Sequence, residues 1–235
     1  MTSQTLSAEI RHQVAAGDLN EALVVAMSAT VSYPTSKFFA ERLALISYDL
    51  GELATCRSAL SRARRLGSDA RALLLIEPLL LIEEGSEVEA ARLAEDFVAN
   101  ALCDEELLRC AARVLSRLGR ETAVEAWEKL DSLAGLKTSE LFEAVRLARA
   151  TGRLAAASSF LDRLLARVPA HAGAWQERVR LLLQASARTP ERLLAATAAL
   201  FDLAPRVALE LLPEFVAGGH WSAILVLLSV HPGTP

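Results

Sequence analysis

Lysine is nearly missing from this chain: Lys37, Lys129 and Lys137 are the only three among 25 basic residues, and the other 22 are arginines. Cysteine is as scarce. Cys56, Cys103 and Cys110 are odd in number and form no CxxC pair, which argues against a disulfide framework and for reduced thiols. Cys103 and Cys110, seven apart, can share a helix face, but cysteine's burial habits make small core residues the expectation. Only 11 glycines and 8 prolines punctuate 235 residues, and aromatics make up 5%. The rest is dominated by Ala, Leu, Arg and Glu, which favour helices and have little tendency to pair as strands. A hydrophobic fraction of 52% is ample for a core.

Long apolar runs are absent too. The longest, from Ala72 to Ile82, is interrupted by Glu77 and Pro78 and falls short of the roughly 20 residues that span a bilayer. Met1 to Ile10 is polar, without the apolar core behind a basic start that marks a secretory signal. A cytoplasmic protein with no membrane span is expected. The net charge of −4 and a pI near 5.7 offer no basic stripe, so nucleic acid is not an expected partner. The Ala, Arg and Leu bias is that of a GC-rich bacterial genome, which suggests a bacterial setting by association alone.

Catalytic constellations are likewise not in view. His12, His171, His220 and His231 lie far apart, without an i, i+4 pair or a nearby cysteine, so no metal site is expected. The chain holds no GxxxxGK[ST], GxGxxG or GxSxG motif. The carboxylates Asp104-Glu105-Glu106 read as the acidic start of a helix, where negative charge meets the positive end of the helix dipole. The expectation is a protein that is not an enzyme and uses no cofactor.

What the chain does contain is a ladder. Gly17, Gly51, Gly85 and Gly119 stand 34 residues apart, Gly152 follows after 33, Ser186 after 34 and Gly218 after 32. Each closes one apolar helix-periodic segment and opens another, as in Ala16-Gly17-Asp18 and Leu50-Gly51-Glu52. Glycine can take the left-handed conformation that ends a helix, and a polar residue after it can cap the next. Behind each turn come apolar residues at fixed offsets, the first of them small: Ala22, Ala26 and Ala29; Cys56, Leu60 and Ala63; Ala90, Ala94 and Phe97; Ala157, Leu161 and Leu164. Pro34 and Pro169 close two of the second helices. In the fourth repeat Ala123 and Trp127 fit the pattern one residue early.

In these features the chain resembles the tetratricopeptide repeat family, whose unit is a 34-residue helix-turn-helix. The resemblance covers nearly the whole chain and implies an all-α fold, a right-handed superhelical solenoid of antiparallel helix pairs. About seven units are expected, at approximately 3–35, 36–69, 70–103, 104–136, 137–170, 171–204 and 205–235. The sixth is degenerate, with Ser186 in place of glycine and Thr189-Pro190-Glu191 as the start of its second helix. The seventh turns at Gly218-Gly219.

The resemblance further implies that first helices line a concave groove. On that basis the second and third units contribute an apolar part, including Phe38, Tyr48, Leu75 and Leu79. The fourth to sixth contribute Arg109, Arg113, Phe142, Arg146, Arg149 and Arg180. Such a groove suits another protein's peptide or helix with apolar anchors followed by acidic residues, unless those arginines are simply paired with local glutamates. Some members of the family it resembles clamp a chaperone tail's carboxylate with lysine and asparagine of the first helices. This chain has Ser7 and Arg11 in the first unit and Glu41 and Leu45 in the second, so that role is disfavoured. The last helix, with Trp221, Ile224, Leu225 and Leu228, is apolar almost all round, whereas terminal repeats usually show a polar outer face. Self-association or a following domain would cover it. The function expected is a non-catalytic adaptor in a bacterial complex. The alternatives are the protein-binding region of a larger enzyme such as a glycosyltransferase, and a secretion-type chaperone.

Overall fold

The computed structural model describes residues 2–100, 104–184 and 190–229, with side chains to residue 225. Among these residues it is all-helical, with no strand. By contacts the chain divides into two compact units, Met1–Leu118 and Gly119–Pro235.

The first unit holds α1 (Ser3–Ala16), α2 (Leu19–Ser32), α3 (Lys37–Asp49), α4 (Leu53–Arg65), α5 (Arg71–Glu83), α6 (Glu87–Asn100) and α7 (Glu105–Arg117). Successive helices pack in pairs, α1 on α2, α3 on α4 and α5 on α6, and the first helices also stack, α3 on α5 and α5 on α7. The second unit holds α8 (Thr122–Ala134), α9 (Thr138–Ala150), α10 (Leu154–Arg167), α11 (Ala172–Gln184), α12 (Pro190–Leu203), α13 (Pro205–Leu209), α14 (Leu212–Ala217) and α15 (Trp221–Ser229). There α9 packs on α10 and α11 on α12.

The turn mechanism is visible at Gly51. Its φ of 74° lets its N–H donate to the Tyr48 carbonyl at 3.0 Å and that of Glu52 to Ser47 at 2.8 Å, closing the end of α3 as a left-handed glycine cap does. Gly17, Gly85, Gly119 and Gly152 share the positive φ. Gly67 and Gly135 form a second ladder, 16 residues after Gly51 and Gly119 and also at positive φ. There they end second helices, the task that Tyr33-Pro34 and Val168-Pro169 perform elsewhere.

The small residues behind each turn are buried because neighbouring helices meet there. Ala22, Ala26, Ala29, Cys56, Ala63, Ala90, Ala94 and Ala157 are 0% exposed, as are the offset pair Ala123 and Trp127. Capping follows composition: Asp104 Oδ1 accepts the Leu107 N–H at 3.0 Å to start α7, and His171 Nδ1 accepts that of Ala174 at 3.1 Å to start α11. His171 is thus a cap, as a turn histidine can be.

Three details differ from the sequence expectation. The first helix of the last pair is broken into α13 and α14, because Pro213 has no N–H to give the Leu209 carbonyl. The left-handed residue of that turn is Gly219 (φ 69°), not Gly218, which is right-handed at −85°. Cys110 is half-buried rather than core; its thiol donates to the Leu75 carbonyl at 3.3 Å, in the turn of α5 that Pro78 interrupts. Ser186, Thr189, Cys103 and His231 lie outside the described residues.

Candidate protein-binding faces of the first helices

In the first unit the expected residues do gather. Tyr48 on α3 is half-buried, and burial first, then the Glu83 carboxylate and the thiols of Cys110 and Cys56, raise its phenol pKa above the usual value. Tyr48 therefore sits close to α5 and α7 as well as to its own pair. Leu75 and Leu79 on α5 are partly exposed, and the Cys110 thiol joins α7 to the Leu75 backbone. Burial pushes that thiol up to about 11 despite the nearby Arg113, so it is neutral at pH 7. Phe38 meets Phe39 edge-on at 5.4 Å with the Arg42 guanidinium 5.3 Å from its ring centre. Arg113 is exposed, whereas Arg109 has a side chain only 16% exposed and pairs with Glu105 at 2.6 Å. Glu83 and Arg117, paired at 3.0 Å, belong to the same surroundings. With Cys110, they are neighbours that the positional rule for grooves does not name.

In the second unit the same rule selects residues that, Arg146 apart, are already engaged. Arg149 Nε binds Glu177 at 2.5 Å, and Arg180 Nη1 binds the same carboxylate at 3.3 Å. Glu177 is 3% exposed, so the two guanidiniums offset the cost of burying its charge. Arg180 Nε reaches on to Glu214 at 3.1 Å. Phe142 lies against α11: its ring centre is 5.0 Å from that of His171, and a Cβ on Gly173 would stand 3.0 Å from Phe142 Cζ. Arg146 is exposed, and among the described residues no hydrogen bond or ion pair involves its side chain.

Arginine's abundance has a structural use beyond these positions. Within the first unit Arg57 pairs with Glu84, and Arg71 reaches Asp104 at 2.5 Å. Within the second, Arg153 binds Glu121 at 3.3 Å and Arg163 pairs with Asp131. Each tie joins residues about one repeat apart, and the long, forked guanidinium is suited to that reach.

At the C-terminal end, α15 is not bare all round. Ala223 is buried and Ile224 packs on the core, while Trp221 and Leu225 are 64% and 65% exposed. The Leu228 side chain lies outside the described residues. Among the described residues no group of His, Cys, Asp or Glu is placed to hold a metal, and no helix is long and apolar enough to cross a membrane.

Paired helices, left-handed turn glycines and small buried contacts at fixed offsets define a protein of tandem helix-turn-helix repeats. The fold is that of the tetratricopeptide repeat proteins. It is shared with the C-terminal part of a TPR repeat-containing protein from Cytophaga hutchinsonii (13% identity, 96% of each chain, TM-score 0.68). YrrB, described as a TPR protein with an unusual peptide-binding site, matches at 18% identity over 79% of this chain and 96% of its own, with a TM-score of 0.64. PilF of Pseudomonas aeruginosa matches at 18% identity over 90% of this chain and 98% of its own, with a TM-score of 0.60. No protein-family model and no curated protein matches the sequence.

Proposed function

We propose that this chain is a non-catalytic adaptor that binds a peptide or helical segment of another protein on its first-helix faces, as part of a bacterial assembly in the cytoplasm. One observation carries the reading: in the first unit Tyr48, Leu75 and Leu79, on two stacked first helices, leave apolar surface partly open beside the exposed Arg113. An apolar anchor with a flanking carboxylate is the matching ligand chemistry. The peptide-binding site described for YrrB gives the same fold a precedent. In the second unit, Arg146 is the residue with charge to spare, and Phe142, Arg149 and Arg180 support the face from within.

The test is selection from a random peptide library on the whole protein, followed by affinity measurement on the enriched peptides. Leu75→Gln and Arg113→Glu are expected to weaken binding at least tenfold, and Val24→Ser on the exposed side of α2 to leave it unchanged. Enriched peptides that bind the first-helix variants as well as the parent would refute the reading.

A further inference from the structure

A cleft of about 680 Å³ opens in the second unit between α10 and α12, with α11 as its floor. It is separate from the first-helix face. On α11, Trp175, Arg178 and Leu182 are spaced three and four residues apart toward the cleft, and Arg180 stands about 200° round the helix from Arg178. The cleft stays open because both walls are small: Ala155 and Ser158 on α10, Ala195 and Ala196 on α12. Its floor is apolar, from Leu181 and Leu182.

The charges at its edge do not cancel. Arg178 pairs with Asp162, whereas Arg192 lines the cleft, is exposed and has no hydrogen bond or ion pair among the described residues. Among the described residues one positive charge is left over beside apolar walls. Because the helices run antiparallel, Leu154, Leu182 and Arg192 belong to one end and Trp175 and Asp162 to the other. From Trp175 to Leu182 α11 rises about 10 Å.

We propose that this cleft binds a small apolar monocarboxylic acid, with its carboxylate on Arg192 and its chain lying over Leu181 between Ala155 and Ala195 toward Trp175. The volume falls within the range of small-molecule sites, which are mostly apolar with a few polar groups that fix orientation. The guanidinium fork of Arg192 matches one carboxylate, which suits a monoanion. This site does not depend on the peptide-binding reading.

The test is calorimetric titration of the whole protein with decanoate below its micelle-forming concentration, with decanol as the uncharged chain of the same length. Saturable binding at one site is expected, at least tenfold tighter for decanoate than for decanol. Arg192→Gln should remove that preference, and Ala195→Trp, which fills the cleft from an exposed wall position, should abolish binding. Ala155→Trp does the same from the opposite wall if the first variant fails to fold, as judged by circular dichroism. Val24→Ser on α2, outside this unit, should leave decanoate binding unchanged. The proposal is overturned by the absence of saturable binding, by equal affinity for decanol and decanoate, or by decanoate binding that survives a cleft-filling tryptophan in a folded variant.

Discussion

The first-helix faces of the two units obey one positional rule and come out differently. In the first unit the rule picks Tyr48, Leu75 and Leu79, which keep apolar surface partly open, as well as Arg109, which pairs with Glu105. In the second it picks Arg149 and Arg180, which are already bound to Glu177. A repeat position says which way a side chain points. Whether it is free depends on what the next repeat supplies, and that is an individual matter.

The largest expected break in this comparison is electrostatic. Arg149→Glu would set a second carboxylate beside a Glu177 that is 3% exposed, and is expected to cost about 3 kcal/mol, as does breaking other buried ion pairs. Arg92→Glu, on the exposed side of α6 in the first unit, should stay within about 0.5 kcal/mol of the parent. Urea denaturation of both variants decides it; equal midpoints would mean that the Glu177 cluster is no more structural than a surface arginine.

A smaller effect sharpens the contrast at alkaline pH. All three cysteines lie in the first unit, and burial raises the thiols of Cys56 and Cys110 to about 11 from 9.0. A raised folded pKa favours the neutral thiol, so this contribution is complete below pH 9 and declines as pH rises toward 11. The doubly substituted Cys56→Ala, Cys110→Ala protein should lose less stability than the parent over that window. The tyrosines lie in the first unit and the tryptophans in the second, so the loss should show first in tyrosine emission if the first unit opens first.

The smallest expected effect is at acid pH. Burial raises the Asp104 pKa, but the hydrogen bonds from the Leu107 N–H and Arg71 outweigh it and hold the carboxyl below its usual value. Its contribution is present above the unfolded carboxylate range and is lost as pH falls through the lower folded value. Asp104→Asn should therefore flatten the acid limb of the stability profile below about pH 4. An unchanged limb would show that the α7 cap is electrostatically idle.

Much of the fold was legible because the backbone imposes it. A helix pair of fixed length needs its left-handed residue and its close contacts at fixed offsets, so Gly17, Gly51, Gly85, Gly119 and Gly152 announce the turns, and Ala22, Ala26 and Ala157 announce the contacts. Gly67 and Gly135 carried an equally readable signal, a second ladder 16 residues behind the first. Pro213 carried another: a proline well inside the first helix of the last pair meant a break. The candidate faces were less legible. The acid that engages Arg149 is 28 residues away and one of those that engage Arg180 is 34 away, too far for the i, i+4 spacing by which helix ion pairs are recognised. The repeat period itself was the place to look.

The arginine ties that span neighbouring repeats carry a further consequence. A solenoid held by identical contacts alone would tolerate its modules in any sequence, since each would fit each. Here Arg57 is matched to Glu84, Arg71 to Asp104, Arg153 to Glu121 and Arg180 to Glu214, and a shuffled array would face many of these cations with the wrong residue. The ties act as addresses. They write the order of the modules into the surface, and so make the array a sentence rather than a string of interchangeable beads.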